Sequence, residues 1–397
     1  MASASSPSVA ADSKWFRDIV VLGLAFAALF FFRLGSDPLA NPDEGRYAEI
    51  PREMLATGDW VLPRLDGVFY FEKPPLVYWM NAIAFKAFGR GEWAVRSVPA
   101  LFGLAGVLLA YAAGRLLYGR MAGIVSAVIL GTSLLYFALS RILILDMVVS
   151  VFMAAALFCF ILGVRAKSGA RRRLLFYGLY ACAALATLAK GLIGLMLPGA
   201  VMFLWLLIFN QWKRLLPFYL FTGAALFLAI AAPWHILAAQ RNEDWAWFYF
   251  VREHWLRFTT STHSRYQPWW FFLPIVVLGF APWTGYAWTA IKESLPGAWS
   301  RRKAEADTWF LVLWAVFIFF FFSRSQSKLI PYILPVFPAI AVLLGAWTSR
   351  VLEAGSIKRM RAGLVFHAGF GIVLGLAIAV LCIKPMLIRD GDLIETA

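Results

Sequence analysis

Hydrophobic positions along the chain fall into long runs, separated by short polar segments. A helix that spans a membrane needs about 20 mostly apolar residues, and about eleven runs approach this length. The runs begin near Asp18, Val98, Met121, Leu143, Leu174, Gly191, Leu215, Trp269, Thr308, Pro331 and Leu364. The pattern therefore predicts an all-α polytopic membrane protein, built as a bundle of about eleven transmembrane helices.

Composition agrees with this fold class. The chain is 61% hydrophobic and 15% charged, whereas soluble domains are roughly 45–50% apolar and about 25% charged. The three cysteines (Cys159, Cys182 and Cys382) lie inside apolar runs and give neither a disulfide framework nor a metal-binding spacing. Residues 1–17 are small and polar and lack a clear cleavage site, so we expect a cytoplasmic tail before a first span that is retained.

Lysine and arginine predict the orientation, because they concentrate in cytoplasmic loops. Five short loops are net basic, including those at 165–173 and 292–303. The net charge of +15 is then a consequence of topology and does not indicate a nucleic-acid partner. We expect a transmembrane domain over 18–383, with long periplasmic loops at 34–96 and 237–268 and a periplasmic stub at 384–397.

The first outer loop contains the densest group of charges. Asn41 can cap a helix that has Pro42 at its first position and Glu44 three residues after the cap. On such a helix Asp43, Arg46 and Tyr47 share one face. A second amphipathic segment covers residues 74–89, and both helices are predicted to lie along the membrane surface. The alternative for Asp43 and Glu44 is helix capping and compensation of the helix dipole alone.

Further polar residues occur where apolar ones are expected. Asp146 lies a few residues inside an apolar run, and intramembrane charges usually mark a function or a wet cavity, although this acid could simply cap a helix. Lys190 lies between two spans, where snorkelling to the interface is the alternative. Residues 252–274 are rich in Arg and Trp and are typical either of an anion-attracting strip or of an interfacial belt. Lys328 and Tyr332 follow at a spacing of four.

Acids, bases, histidine and tyrosine thus reach one face from at least five segments. This mixture predicts a wet cavity for an anionic lipid headgroup and a polar second substrate. The sequence contains no Walker loop, dinucleotide fingerprint, HExxH or GxSxG element. A flippase for lipid-linked sugars is the rival from another class. It is disfavoured because the sequence has no internal repeat and its unusual polar residues cluster at one face.

The run "PDEGRYAEIPREMLATGDWVLPRLDGVFYFEKPP" resembles the first outer loop of the membrane glycosyltransferases that take sugar from polyprenyl phosphate, the GT-C, protein mannosyltransferase-like superfamily. "LAKG", "EHWLRF", "PWWFFLP" and "SKLIPYIL" match later, in the same order, and are most similar to the lipid A aminoarabinose transferases. The resemblance implies transfer of 4-amino-4-deoxy-L-arabinose from undecaprenyl phosphate to lipid A phosphate, at the periplasmic face of the bacterial inner membrane. Related enzymes that use a protein or glycan hydroxyl as acceptor are the alternative.

The resemblance also implies the site. Asp43 and Asp146 match the family's two acids, and seven further residues match positions near the site: Tyr47, Tyr70, Glu72, Lys73, Lys190, Arg257 and Tyr332. Together with the charge pattern, this assigns the donor phosphate and lipid to Lys73, Arg46, Tyr70, Arg257, Tyr332, Lys190 and Lys328. The sugar and acceptor are assigned to Tyr47, Glu72, Glu44 and His263.

The chemistry leaves the role of Asp43 open. With a phosphate acceptor, which is already ionised, Asp43 would position the acceptor or bind the sugar ammonium; with a hydroxyl acceptor it would be a general base. No cofactor is required, although Glu72 and His254 could share a divalent cation. Relatives extend beyond residue 397 with further spans and a periplasmic domain.

Overall fold

The computed structural model describes residues 14–256, 267–302 and 304–383. The chain is almost entirely helical in these ranges. The first helices are α1 (Lys14–Phe31), α2 (Asp43–Thr57), α3 (Leu76–Phe88), α4 (Glu92–Tyr118), α5 (Arg120–Thr132), α6 (Leu134–Leu139), α7 (Leu145–Arg165), α8 (Ala170–Lys190) and α9 (Ile193–Phe209). The later ones are α10 (Trp212–Leu215), α11 (Leu220–Arg241), α12 (Asp244–Ala246), a π-helix (Trp247–Leu256), α13 (Phe272–Gly279), α14 (Thr284–Ser300), α15 (Ala306–Arg324), a 3-10 helix (Ile330–Val336), α16 (Phe337–Glu353), a 3-10 helix (Ile357–Met360) and α17 (Arg361–Ile383).

The helices confirm the predicted fold class of a polytopic membrane bundle. Within the described ranges, six helical segments are long and apolar enough to span a bilayer. They are Glu92–Tyr118, Leu145–Arg165, Leu220–Arg241, Ala306–Arg324, Ile330–Glu353 and Ile357–Val380. The count of eleven spans stays a prediction, because the other apolar runs form shorter, divided or more charged helices.

Two predicted spans are divided in the structure. The run beginning near Met121 forms α5 and α6, which meet at Ser133 in an extended conformation. The run beginning near Trp269 is divided between α13 and α14, on either side of Pro282. Both breaks fall at less apolar residues, Thr132 and Ser133 in the first run and Pro282 and Thr284 in the second, which the mean hydropathy of a whole span does not reveal.

The first outer loop folds into two helices joined by a β-hairpin. Strands β1 (Arg64–Leu65) and β2 (Val68–Phe69) pair antiparallel around Asp66 and Gly67. Both turn residues have positive φ, 53° and 76°, which is the conformation of a type I′ turn and explains the Asp-Gly sequence. Helix α2 packs on α3, and α3 packs on α4, so the loop is folded against the bundle.

The core of the bundle is centred on α7, which packs against α4, α8 and α9 and is buried over most of its length. Small residues allow the neighbouring helices α4, α5 and α16 to approach closely. A Cβ atom added at Gly123 would lie 2.6 Å from the carbonyl oxygen of Tyr111, and one added at Gly114 would lie 3.0 Å from the Cα of Gly123. Close approach at small residues is how membrane helices gain packing energy in the absence of a hydrophobic driving force.

Two clusters of ion pairs, of which the one around Asp18 is buried, stabilise the end of the bundle opposite the first outer loop. Asp18, near the start of α1, accepts from Arg115 at 2.9 Å and from Arg120 at 2.6 Å. Asp307, near the start of α15, pairs with Arg214 at 2.9 Å and with Arg165 at 3.6 Å. The basic loops expected on the cytoplasmic side are therefore anchored to the helices by acids.

Candidate active site

Glu44 is the central structural residue at the outer end of the bundle. Its buried carboxylate accepts from the Arg96 guanidinium at 2.7 and 3.0 Å, from the backbone N–H of Ala40 at 2.9 Å and from that of Leu143 at 2.9 Å. These four bonds, which we call the Glu44 clamp, join the start of α2 to α4 and to the segment before α7. The predicted sugar-binding role of Glu44 stays a prediction. Its carboxylate already makes four hydrogen bonds that stabilise the fold.

The predicted Asn41 cap on this helix is wrong. Pro42 occupies the capping position, and no side chain caps α2. The carboxylate of Glu44, which is inside the helix, accepts a hydrogen bond from the Ala40 N–H. The sequence pattern therefore located the helix correctly but named the wrong residue as the group that stabilises its start.

Asp43, Arg46 and Tyr47 lie on one face of α2, as their spacing predicted. Arg46 approaches the exposed Asp43 carboxylate at 3.3 Å and lies near the hydroxyl of Tyr70. Burial lowers the pKa of Arg46, but its contacts with Tyr70 and Asp43 more than compensate and raise it above its ordinary value. Arg46 is therefore fully charged beside a surface-accessible acid.

Three tyrosines line the inner side of this face. The rings of Tyr47 and Tyr70 lie 6.2 and 6.5 Å from the ring of Tyr78, which is fully buried on α3. The Tyr70 hydroxyl donates to the Glu72 carboxylate at 3.0 Å. Burial first, and then the charge of Glu72, raise the pKa of Tyr70, so its hydroxyl stays a donor at neutral pH.

Asp146 and Lys190 form a buried, hydrogen-bonded ion pair. Asp146 is in the first turn of α7 and Lys190 is the last residue of α8, so each charge also compensates the dipole of its own helix. The Lys190 ammonium lies 4.5 Å from the centre of the Tyr332 ring. Lys190 therefore points into the bundle, and the alternative that it snorkels to the interface is wrong.

The charges of the first outer loop and of Asp146 both act on Tyr47. Burial is the main cause that raises its pKa well above the ordinary value, followed by the nearby Tyr70, Asp146 and Asp43. Both predicted acids are thus close enough to one hydroxyl to influence its ionisation. The two segments that sequence analysis singled out, although about a hundred residues apart in the chain, converge at one end of the bundle.

Lys73 is buried and tied to the second outer loop. Its ammonium donates to the Glu253 carboxylate at 2.9 Å and to the carbonyl of Glu72 at 2.7 Å. Glu253 is itself buried, with only 2% of its side chain exposed. The pair joins the segment after the hairpin to the π-helix that contains Glu253.

Lys328 is hydrogen-bonded to the second outer loop and precedes the helix that contains Tyr332. Its ammonium donates to the carbonyl of Gln267 at 2.7 Å, and burial lowers its pKa. Tyr332 is in the 3-10 helix that begins at Ile330, whereas Lys328 precedes that helix. Their spacing of four therefore does not place them on one α-helical turn.

Three predicted site residues are not tested by the structure. Arg257 and His263 lie outside the described residues, and the side chain of His254 does as well. Of the two residues proposed to share a divalent cation, only Glu72 has a described side chain, and its carboxylate accepts a hydrogen bond from the Tyr70 hydroxyl.

A different group of carboxylates lies close together within the described ranges. Those of Glu49, Glu53 and Asp66 come within 4.8 Å of one another. Arg52 donates to Glu49 at 2.5 and 2.7 Å, and the Gly67 N–H donates to Glu53 at 3.2 Å. Protein groups thus already stabilise two of the three acids, Glu49 and Glu53, and we assign no metal ion to the cluster.

Sequence reasoning missed Arg96, Tyr78 and Glu253 as residues of this region. A single arginine entering an apolar helix was the available signal for Arg96, and a lone acid between aromatic residues was the signal for Glu253. Tyr78 gave no signal, since it is one of several aromatic residues on an amphipathic helix.

Residues 72–237 match the family model described as dolichyl-phosphate-mannose-protein mannosyltransferase. The chain is 34% identical over 383 residues to the undecaprenyl phosphate-α-4-amino-4-deoxy-L-arabinose arabinosyl transferase of Pectobacterium carotovorum, covering 95% of this chain and 67% of the relative. The crystal structure of ArnT from Cupriavidus metallidurans bound to undecaprenyl phosphate superposes with a TM-score of 0.78 at 33% identity, covering 94% of this chain and 64% of that one. The archaeal oligosaccharyltransferase of Archaeoglobus fulgidus, at 15% identity and a TM-score of 0.60 over 93% of this chain and 55% of that one, shares the fold.

The fold is that of the GT-C-type membrane glycosyltransferases, as the sequence predicted. Within that class, the chain belongs to the family of the undecaprenyl phosphate-aminoarabinose arabinosyl transferases. It spans about two thirds of the length of the relatives it matches.

Proposed function

We propose that the protein transfers 4-amino-4-deoxy-L-arabinose from undecaprenyl phosphate to a phosphate of lipid A, at the periplasmic face of the inner membrane. The names of the relatives support the sugar and the donor, and the related ArnT structure contains undecaprenyl phosphate. Charge sorting supports the location, because the basic loops lie at the end of the bundle opposite the site.

One observation carries the proposal. The helix that carries the surface-accessible acid Asp43 is joined to the segment just before Asp146 by the bond from the Leu143 N–H to the Glu44 carboxylate, at 2.9 Å, so Asp43 and the ion pair of Asp146 and Lys190 lie at the same end of the bundle. A cationic sugar and an anionic lipid phosphate need carboxylates and cations side by side, and this end of the bundle supplies both.

Transfer breaks the bond between the anomeric carbon and the phosphate oxygen of the donor, and the bonding electrons leave with that oxygen. The phosphate is a good leaving group once its charge is stabilised, so cations matter more than protonation. Lys73 and Arg46 are the two cations of the first outer loop proposed to bind the donor phosphate. Each is held by a protein acid, Glu253 or Asp43, and a donor phosphate would replace or share that partner.

The acids take different roles in this scheme. Asp43 is exposed and adjustable, so it suits the sugar ammonium or the positioning of the acceptor. Asp146, in the first turn of α7, is paired with Lys190. Its role in this scheme is to hold the Lys190 ammonium near the donor phosphate. A phosphate acceptor is already ionised at neutral pH and attacks without a general base.

The test is mass spectrometry of lipid A from cells with and without the gene, followed by transfer with purified protein in detergent. We expect lipid A that carries aminoarabinose only when the gene is present, and loss of sugar from the purified donor lipid. A hydroxyl acceptor would leave the lipid A phosphates unmodified. A flippase would produce no transfer in detergent, where there are no two sides to connect.

A further inference from the structure

A long cavity lies between helices α13 and α14 on one side and α15 and α16 on the other. Its volume is about 670 Å³, within the range of pockets that hold small molecules. Much of the cavity wall is apolar and includes Val276, Phe280, Val312, Val316, Ile340 and Leu343. None of the predicted site residues that the structure describes lines it.

Charged residues concentrate at one end of this cavity. Arg350 and Glu353 are in the last turn of α16, and Glu305 lies directly before α15. Helix α16 begins beside the 3-10 helix of Tyr332 and runs for 17 residues, or about 25 Å at 1.5 Å per residue. The charged end is therefore at the side of the bundle opposite the candidate active site.

The dimensions fit one leaflet of a membrane. The lining residues on α16 extend from Ile340 to Glu353, which is about 20 Å of helix. Half of a bilayer's hydrocarbon core is about 15 Å thick. An acyl chain that entered parallel to the helices would fill the apolar part, and its headgroup would lie at the charged end.

The charges at this end favour a headgroup that carries both signs. Arg301 and Glu305 pair with each other at 2.8 Å, and Glu293, which also lines the cavity, accepts from Trp347 at 3.0 Å and pairs with Arg359 at 3.8 Å. Arg350 and Glu353 form no salt bridge with any other described residue; Arg350 contacts a carbonyl and Ser294, and Glu353 accepts from Ser349 at 2.9 Å. One cation and one anion, three residues apart on the same helical face, match a phosphate next to an ammonium.

We propose that this cavity binds one phospholipid with an amine-bearing, zwitterionic headgroup, taken from the leaflet opposite the active site. Its phosphate contacts Arg350, its ammonium contacts Glu353, and its acyl chain separates α14 from α15. The lipid has a structural role, since it fills a gap between helices that the side chains leave open.

The experiment uses native mass spectrometry of the purified full chain, supplied with equal amounts of an ethanolamine and a glycerol phospholipid that have the same acyl chains. We expect one bound lipid that resists delipidation, with ethanolamine preferred. Ala315→Trp fills the cavity and should abolish retention, whereas Ala229→Trp, on the exposed face of α11, should retain the lipid. Ala290→Trp fills the cavity from the opposite wall, as a second test if the first variant folds poorly.

Glu353→Gln keeps the shape of the side chain and removes its charge at an exposed position. The preference for ethanolamine over glycerol should fall about two- to fivefold, the range expected for an exposed ion pair. Equal retention in Ala315→Trp and wild type would overturn the proposal. So would retention of no lipid by the wild type, which would indicate that a protein segment fills the cavity, or a wild-type protein that binds both lipids equally.

Discussion

At the scale of single residues, the neighbours Asp43 and Glu44 have separate tasks. Asp43 is exposed and contacts only Arg46 among the salt bridges of the described residues, whereas Glu44 is buried and makes the four bonds of the clamp. Asp43→Asn should therefore fold like wild type. It should lose activity by orders of magnitude, because binding an ammonium or placing an acceptor depends on the charge. Lipid A modification in cells, with expression and melting temperature checked, measures this.

The control for Asp43→Asn must be an exposed acid of the same loop. Glu44 is unsuitable because it is buried in the clamp. Asp37 is exposed. Arg96 donates a hydrogen bond to the backbone carbonyl of Asp37, and a change of the Asp37 side chain preserves that bond. Asp37→Asn should keep full activity. Normal modification by a well-folded Asp43→Asn would leave Asp43 with a structural role only.

The clamp itself predicts a loss of stability. Glu44→Ala leaves the buried guanidinium of Arg96 without its carboxylate, and breaking a buried ion pair from one side costs about 3–5 kcal/mol. Glu44→Gln keeps the shape and should cost less, about 1–3 kcal/mol, since an amide cannot accept all four hydrogen bonds. Thermal unfolding in detergent measures both, and an unchanged Glu44→Ala would contradict the clamp.

The clamp also predicts a dependence on pH. Burial raises the pKa of Glu44, but the hydrogen bonds from Arg96, Ala40 and Leu143 outweigh it and hold the pKa below its ordinary value of 4.5. Since the folded-state pKa is the lower one, the stabilisation is complete above the unfolded value and is lost as pH falls through the folded value. The gap in melting temperature between wild type and Glu44→Gln should be constant from pH 7 to about 5 and shrink below about 4.5.

At the scale of elements, the sequence predicted the two helices of the first outer loop but missed the hairpin between them; that the helices lie along the membrane surface stays a prediction. Proline and acids at the start of α2, and amphipathic spacing in α3, are local signals and were sufficient. The Asp66-Gly67 turn was equally visible, yet its strands are only two residues long, too short to show an alternating pattern. The contacts of Lys73 were not predictable, since they depend on Glu253, 180 residues away.

This contact gives a prediction about the two outer loops. Lys73→Ala should reduce transfer strongly, and Lys73→Arg should keep part of it, because arginine keeps the charge with a different geometry. The loss could arise from the donor phosphate or from the Lys73–Glu253 pair. Glu253→Gln separates the two causes in a double-mutant cycle.

If Lys73 binds the donor, adding Lys73→Ala to Glu253→Gln should cost at least about another tenfold in kcat/KM, or 1.4 kcal/mol. If Lys73 only holds Glu253, the double variant should be no worse than Glu253→Gln. The Tm of each variant measures how much stability is lost with the Lys73–Glu253 pair.

At the scale of the whole molecule, hydropathy predicted the membrane bundle and the side on which its polar residues gather. It did not yield a confirmed number of spans. Helices α1 and α8 begin with charged turns, and two apolar runs are divided. Short or charged helices that would be unstable alone in lipid are stable when other helices of the bundle bury them. Whether such a helix spans the membrane therefore depends on neighbouring helices, which the sequence pattern does not show.

Orientation is the last prediction, and the structure supplies suitable positions for it. Asp66 is exposed in the hairpin turn, and Ser168 is exposed between α7 and α8, so accessibility does not distinguish them within the protein. Cysteines introduced there should differ only because a membrane separates them. Lys and Arg fill the loop at 165–173, so Asp66→Cys should react in intact spheroplasts with an impermeant thiol reagent, and Ser168→Cys only after lysis. The native cysteines are first replaced by alanine, so that only the introduced thiol reacts with the reagent. Labelling of Ser168→Cys before lysis, with Asp66→Cys protected, would invert the topology and place the candidate site in the cytoplasm.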